Sequence, residues 1–250
     1  MNAALAAFAL APGLAVGSFL NVVAARVPLR RSVISPRSAC MSCGTELAWY
    51  DNLPLVSYAL LKGRCRTCRA GISPLYPGVE LATALLVAAC MWKFGLTGQA
   101  AIAGFFCAAL VAVTATDLTH RIVPNRIVVP AAAIVLVANT ALEPRPEWTV
   151  AALGASFFLF AAAVAYPAGM GMGDVKLALL MGAALGKLVS AALFAGMIFA
   201  LVPSVFLLAR HGSSARKMGI PFAPFLALGS IVALFAGHWL LAHYWATFTH

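Results

Sequence analysis

Long apolar runs alternate with short polar segments along most of this 250-residue chain. Eight of the runs approach the length of about 20 apolar residues that crosses a bilayer as a helix. The runs do not alternate apolar and polar positions as barrel strands do, and lipid offers no partners for unpaired backbone groups. We therefore predict an all-α polytopic membrane protein with about eight transmembrane helices. The predicted spans are 3–25, 76–95, 99–117, 122–141, 149–168, 173–187, 189–209 and 221–244.

One segment, residues 28–75, is long and polar enough to fold outside the lipid. A piece of this size buries little apolar core, so it needs a cross-link or support from the membrane helices. The pattern divides the chain into a first transmembrane helix at 1–27, this extramembrane segment at 28–75, and a seven-helix membrane domain at 76–250.

The composition excludes an ordinary soluble domain. Hydrophobic residues make up 63% of the chain and charged residues 10%, whereas soluble domains are about 45–50% apolar and about 25% charged. The first apolar run has its arginines after it and none before it, which is the reverse of a cleavable signal peptide. We therefore interpret this run as a helix of the mature protein.

The formal charge of +10 is distributed unevenly between the two sides of the predicted spans. Of the 17 Lys and Arg residues, only Lys93, Arg145 and Lys187 fall on one side, and the other 14 fall on the side of the 28–75 segment. The positive-inside rule then places this loop in the cytoplasm and both termini outside, in the periplasm. Basic residues are not interleaved with aromatic ones, Trp49 and Tyr50 aside, so we expect no nucleic-acid partner.

Four of the six cysteines form two C-x2-C pairs with 21 residues between them. Each pair can present two thiolates, and two pairs complete a tetrahedron around zinc. Two disulfides would be the alternative, but a reducing cytoplasm argues against them. We predict a structural zinc ion with no open coordination position. Its ligands would be Cys40, Cys43, Cys65 and Cys68.

Two of the seven acidic residues, Asp117 and Asp174, fall near the cytoplasmic ends of predicted spans. Acids at such a depth are costly and usually face the bundle interior or a wet cavity. Two neighbouring carboxylates share a proton, so that one can act as a base on water and the other as an acid. This is the chemistry of aspartic proteases. Gly171 and Gly173, beside Asp174, would permit unusual backbone angles and the close approach of a helix or substrate strand.

The residues alone leave other interpretations open. Gly169, Gly171 and Gly173 could form a helix-packing face, and Asp174 could cap a helix N-terminus. Asp117 could pair with Arg121 four residues on. An ion-coupled transporter would also use Asp117 and Asp174, and a non-catalytic scaffold would need neither residue.

The first helix and two isolated cysteines have simpler interpretations. Gly13 and Gly17 precede Asn21 on one face, which predicts helix packing with the Asn21 amide hydrogen-bonded to a neighbouring helix. Cys90 and Cys107 lie alone in predicted helices, and we expect ordinary buried cysteines.

The stretch GMGDVK at 171–176 matches the G-x-G-D-x-K signature of the type IV prepilin peptidase family of intramembrane aspartyl proteases. Asp117 followed by Val123-Pro124-Asn125 resembles the family's first catalytic block, although many members carry Pro-Asp at the last two positions. In the block IPFAPFLALG (220–229), Ala223 stands at a position where many family members have glycine. Five further blocks resemble the family in its order: GSFLNVVAARVP (17–28), PRSACMSC (36–43), WYDNLPLVSYALLKGRCRTC (49–68), SPLYPGVELATALL (73–86) and IPFAPFLALG (220–229).

The resemblance implies an endopeptidase of the bacterial inner membrane that removes the leader of type IV prepilins or type II secretion pseudopilins after a glycine. It implies that Asp117 and Asp174 are catalytic, with Gly171, Gly173 and Lys176 supporting the motif. Many members also methylate the new N-terminal residue with S-adenosylmethionine, and the four-cysteine loop is associated with that step. The expected partners are therefore the prepilin substrates and the lipid bilayer.

The site of methyl transfer is not placed by the sequence. No glycine-rich strand–helix pattern in residues 28–75 marks a conventional cofactor site. Glu46, Asp51 or Glu80 could orient the product amine or receive its proton. The sequence does not indicate an oligomeric state.

Overall fold

The computed structural model describes residues 2–166, 170–212 and 220–248. Three residues used in the predictions lie outside these ranges: Gly169 of the predicted packing face, and Arg216 and Lys217 of the charge distribution. Within them the chain is helical, and its β-structure consists of two isolated bridges, Ala39–Glu46 and Arg64–Gly71. The all-α prediction is confirmed.

Nine α-helices form in the described ranges, and all except the five-residue α2 correspond to predicted spans to within a few residues. Their bounds are α1 Asn2–Arg26, α2 Val56–Leu60, α3 Leu75–Phe94, α4 Gly98–His120, α5 Asn125–Leu142, α6 Glu147–Ala165, α7 Met172–Leu185, α8 Val189–His211 and α9 Ala223–Phe248.

By length and composition, six stretches of the described chain can cross a membrane, so the protein is multi-pass. The last of them, Met172–Arg210, contains both α7 and α8. These two helices are separated by a 3-10 turn whose Gly186 has a φ of +55°, a conformation that favours glycine. Because α7 has only 14 residues, it is shorter than a full bilayer crossing. The number of eight spans therefore stays a prediction.

The chain folds as two compact units, Met1–Thr116 and Asp117–His250. In the first unit α1 packs along α3 at two glycines. A Cβ on Gly13 would lie 2.7 Å from Ala84 Cα, and one on Gly17 would lie 2.6 Å from Glu80 Cα. The Asn21 Nδ2 group donates to the Tyr76 carbonyl at 3.0 Å. The predicted packing face and interhelical hydrogen bond are both confirmed.

Cys90 of α3 and Cys107 of α4 are fully buried, as expected. Their sulfur atoms lie 3.9 Å apart, a proximity that the sequence did not indicate.

The second unit is built around α7, which packs against α5 and α6, while α8 pairs with α9. Leu177, Leu180 and Met181 of α7 are fully buried. Asn139 of α5 donates from Nδ2 to the Ala183 carbonyl at 2.8 Å. The centre of this unit is therefore apolar. Asp174 lies in the first turn of α7, at the edge of this core.

Outer helices of both units expose large apolar side chains, among them Phe8, Val137 and Phe157. A soluble monomer rarely presents so much apolar surface to water. Such a surface is suited to contact with lipid, as the hydrophobic composition of the chain also indicates.

We predict that Gly17→Ala lowers the free energy of unfolding by about 1–3 kcal/mol, because the added methyl group meets the backbone of α3 at Glu80. Gly154→Ala is the matched control, since a Cβ at Gly154 meets nothing within 4 Å. Thermal unfolding of both variants in detergent measures the difference. Equal midpoints for the two variants would contradict the close packing of α1 on α3.

Candidate functional site

Asp117 lies in the last turn of α4 and is only 6% exposed. Its Oδ2 accepts a hydrogen bond from the backbone N–H of Ala223 at 3.2 Å. Ala223 is the first residue of α9, and the first N–H groups of a helix have no partner within it. The start of α9 therefore compensates part of the cost of burying this carboxylate.

Asp174 lies in the first turn of α7 and is 9% exposed. The residue at the N-cap position is Gly171, and Asp174 is the third helical residue. The alternative in which Asp174 caps the helix is therefore wrong. A helix N-terminus favours negative charge, so the first turn of α7 is a suitable position for a buried carboxylate.

Both carboxylates belong to the second compact unit. They lie close enough for Asp117 to act electrostatically on Asp174. In this described part of the chain, Arg121 does not form an ion pair with Asp117; its backbone N–H donates to the Asp117 carbonyl oxygen at 2.9 Å. Both acids that the sequence singled out are thus buried in the same unit, within electrostatic range of each other.

The two glycines before Asp174 differ in their environment. A Cβ on Gly173 would lie 2.7 Å from Val123 Cβ, so this glycine permits the segment between α4 and α5 to approach α7. Gly171 has φ −83° and ψ 149°, an extended conformation that any residue can adopt. The expectation of unusual backbone angles at these two positions is wrong, because neither has a positive φ. Close approach at Gly173 is confirmed.

Lys176 makes a contact that the sequence did not reveal. Its Nζ donates to Asn125 Oδ1 at 2.9 Å, and Asn125 is the first residue of α5. The bond ties the first turn of α7 to the start of α5. The two residues are 51 positions apart, so their contact could not be predicted without knowing that these two helix starts meet. Both residues do belong to sequence motifs that resemble those of the prepilin peptidase family.

The second candidate site is the cluster of four cysteines in the first unit. Their sulfur atoms all lie within 4.8 Å of one another, and those of Cys40 and Cys68 are 3.7 Å apart. A tetrahedral zinc site with Zn–S bonds of about 2.3 Å would separate its sulfurs by about 3.8 Å. All four thiols are free, so this cluster contains no disulfide bond. The donor set fits a metal ion.

The two cysteine pairs sit in equivalent hairpin turns. The N–H groups of Cys40 and Cys65 each donate to the carbonyl five residues later, at 2.9 and 2.8 Å. Their carbonyls accept from the N–H groups of Gly44 and Arg69, at 2.9 and 3.1 Å. These last two residues both have positive φ, +72° and +60°. The repeated geometry aims two sulfurs from each turn at one point.

The thiols are also electrostatically suited to a cation. Hydrogen bonds with the side chain and backbone of Thr45 lower the pKa of Cys43 to about 6. A backbone hydrogen bond from Ala70 lowers the pKa of Cys68, but desolvation and the other thiol groups outweigh it and raise that pKa to about 11. Four sulfurs this close cannot all ionise without a neutralising charge, and thiolates are the form that binds metal.

The three acids near the loop have different roles. Glu46 is exposed. Asp51 forms an ion pair with Arg66, at 2.6 Å between Oδ1 and Nη2. The buried Glu80 accepts the backbone N–H of Leu55 through Oε2 at 2.9 Å, and Leu55 has a φ of +58°. Asp51 and Glu80 therefore hold the loop in shape, a function that the sequence did not reveal.

Comparison with known families finds two matching models that together cover most of the chain. Residues 12–94 match the bacterial peptidase A24 N-terminal domain. Residues 104–210 match the type IV leader peptidase family. The gap between the two matches, residues 95–103, covers the turn between α3 and α4 and the first residues of α4, whereas the two compact units divide near the end of that helix.

Several curated proteins named prepilin leader peptidase/N-methyltransferase are similar to this chain over most of its length. The protein of Bacillus subtilis is 36% identical over 93% of this chain and 94% of its own length. That of Pseudomonas aeruginosa is 35% identical over 90% and 88%, and that of Burkholderia pseudomallei 34% over 92% and 85%. No solved structure matches the chain.

We predict that the purified protein carries one metal ion per chain, and that Cys40→Ser and Cys65→Ser each abolish its retention. The reason is that serine removes one of four converging thiolates. Elemental analysis by mass spectrometry gives the metal content. Cys90→Ser is the control, because Cys90 is a buried cysteine outside the cluster. Equal metal content in all four proteins would rule out this ligand set.

Proposed function

Because the chain belongs to the type IV leader peptidase family, we propose that it is a prepilin leader peptidase and N-methyltransferase. Its substrates would be type IV prepilins or type II secretion pseudopilins, cut after a glycine. The observation that carries the proposal for cleavage is the pair Asp117 and Asp174, buried together at the ends of α4 and α7. The family assignment leaves the ion-coupled transporter without support.

In the proposed reaction the two aspartates share one proton between them. The ionised carboxylate takes a proton from a water molecule, whose oxygen attacks the scissile carbonyl carbon. The protonated carboxyl donates to the carbonyl oxygen. When the C–N bond breaks, a proton passes to the departing amine, and the pair returns to its starting state. The N–H of Ala223, which bonds to Asp117 Oδ2, would hold that carboxylate in position throughout.

The extended, exposed backbone at Gly171 supports the approach of a substrate. A Cβ at Gly171 would lie 3.8 Å from Asp174 Oδ2, and its other near neighbour is the Gly173 nitrogen at 3.9 Å. A glycine at this position therefore leaves room beside the carboxylate. A leader peptide unwound at the membrane surface could lie along this extended segment as a strand.

The four cysteines would hold zinc in a purely structural role, since four thiolates leave no open position for water or substrate. Two C-x2-C pairs separated by about 15–20 residues are typical of zinc sites, and the separation of 21 residues here exceeds that range by one, which a loop insertion tolerates. When bound, S-adenosylmethionine supplies the methyl group for the new N-terminal nitrogen, which must be neutral to accept it.

The protein is a multi-pass protein of the inner membrane. The charge bias along the sequence supports an orientation with the 28–75 loop in the cytoplasm and both termini in the periplasm. In that orientation the cytoplasmic ends of the spans carry Asp117 and Asp174, where the leader of a membrane-anchored prepilin would be reached.

Asp117→Asn and Asp174→Asn should each reduce leader cleavage by about 10²–10⁴-fold, because an amide cannot exchange the proton that the reaction needs. Mass spectrometry of a prepilin with a Gly–Phe junction measures both product masses. Glu143→Gln is the control, since Glu143 pairs with Arg145 in an outer turn. Wild-type rates in either aspartate variant would remove that residue from the mechanism.

Gly173→Ala should also impair cleavage, because its methyl group would displace Val123 and shift α7 relative to α4 and α5. A second change, Val123→Ala, removes the obstructing atoms and should restore much of the lost rate. The same prepilin assay compares the two single variants and the double variant. If the double variant is no faster than Gly173→Ala alone, the contact with Val123 does not explain the glycine.

A further inference from the structure

A cavity of about 430 Å³ lies in the loop between α1 and α3, and every polar side chain that lines it is cationic. Its volume is in the range of small-molecule sites in proteins, about 300–1,000 Å³. We propose that this cavity binds the phosphate headgroup of an anionic phospholipid. The inference rests on neither the cleavage nor the methyl transfer proposed above. The lining residues are Leu60, Leu61, Lys62, Arg64 and Arg69.

The three cations of the cavity are exposed and have no counter-charge. In the ranges that the structure describes, no carboxylate lies within ion-pair distance of Lys62, Arg64 or Arg69. Asp51, on the same loop, is engaged by Arg66 instead. A phosphodiester would supply the missing negative charge, because guanidinium groups bind phosphate oxygens through two parallel hydrogen bonds and an ammonium group adds a compact positive charge.

The second cysteine turn holds the two arginines beside the cavity. Arg64 forms an isolated antiparallel bridge with Gly71, and the N–H of Arg69 donates to the Cys65 carbonyl at 3.1 Å. The turn that contributes Cys65 to the thiol cluster therefore also sets the positions from which both guanidinium groups extend.

The cavity lies next to the start of α3. The Ile72 N–H donates to the carbonyl of Gly63 at 2.7 Å, and Gly63 is the residue between Lys62 and Arg64. Ile72 itself stands three residues before Leu75, where α3 begins. Because α3 is one of the helices that can cross a membrane, the cavity is at the end of a span, where lipid headgroups lie.

An apolar face beside the cavity fits the acyl chains of the same ligand. The Leu55 N–H donates to Glu80 Oε2 at 2.9 Å, which places the start of α2 beside the sixth residue of α3. Val56 and Leu60 of α2 lie four residues apart on one face and are 53% and 77% exposed. Exposed apolar side chains next to cations are typical of segments that lie in the membrane interface.

This combination of charge and apolar surface favours a lipid over a soluble anion, because free phosphate would contact the cations and gain nothing from Leu60. The other cavity of the loop, of about 450 Å³, has Arg37 as its one charged lining residue. Arg37 is also exposed, and it therefore supplies a control position on the same loop.

The test is binding of phosphatidylglycerol to the full-length, metal-loaded protein in detergent, measured by native mass spectrometry as lipid is added. Lys62→Gln and Arg64→Gln should each weaken binding by about fivefold, and the triple variant that also carries Arg69→Gln by about 25-fold or more. Arg37→Gln is the charge-matched control and should bind as the wild type does. Metal content and thermal unfolding midpoint show that each variant is folded.

Lys62→Gln keeps the test decisive where the triple variant fails to fold, because Lys62 lies outside the turn that bears Cys65. Two further ligands separate the possible sources of the phosphate group. Phosphatidylcholine, whose headgroup has no net charge, should bind at least about fivefold more weakly than phosphatidylglycerol. Inorganic phosphate should bind at least about tenfold more weakly, since it makes no apolar contact. Leu60→Asn should weaken the binding of the lipid but not that of inorganic phosphate.

Several results would overturn the inference. If Lys62→Gln and Arg64→Gln bind phosphatidylglycerol as the wild type does, or if Arg37→Gln loses as much affinity as they do, the cavity is not the site. Equal affinity for phosphatidylcholine would show that the cations do not select the ligand. Inorganic phosphate that binds as tightly as the lipid would assign the cavity to a soluble anion. None of these outcomes bears on leader cleavage or methyl transfer, which the prepilin assay measures separately.

Discussion

Burying carboxylate groups in an apolar helix bundle is the constraint on which the second unit depends. An unpaired charge removed from water costs many kcal/mol unless nearby groups compensate for it. Asp117 receives the first N–H of α9, and Asp174 lies in the first turn of α7. The N-terminal turns of α9 and α7 thus each offset part of the cost of burying one of the two acids.

The first unit meets a related difficulty by other means. Its loop is too small to bury a stabilising core, and it concentrates four thiols that repel one another once ionised. A metal ion would resolve both problems, because it neutralises the thiolates and joins the two hairpins. The Asp51–Arg66 ion pair and the bond from Leu55 to the buried Glu80 then fix the remainder of the loop to itself and to α3.

Features that repeat or that have a fixed spacing could be predicted from the sequence: apolar length gave the helices, C-x2-C spacing the sulfur cluster, and Gly13 with Gly17 the packing of α1. Contacts between residues distant in sequence could not, since Lys176 and Asn125 meet only because two helix starts coincide. The sequence placed a boundary at Gly186 and Lys187, between the predicted spans 173–187 and 189–209, and the structure has a 3-10 turn there. Apolar periodicity does not encode the positive φ of Gly186. Composition likewise suggested conformational freedom at Gly171, where the chain is simply extended.

The two sites share no residue, and each lies within its own compact unit. The contacts that position Asp117 and Asp174 come from α5, α7, α9 and Val123, all in the second unit. None of these contacts involves a cysteine turn in the described chain. Loss of the metal should therefore disorder the loop while leaving the geometry of the aspartates intact. A mutation that disrupts one cluster should therefore leave the other in place, because neither cluster compensates the charge of its counterpart.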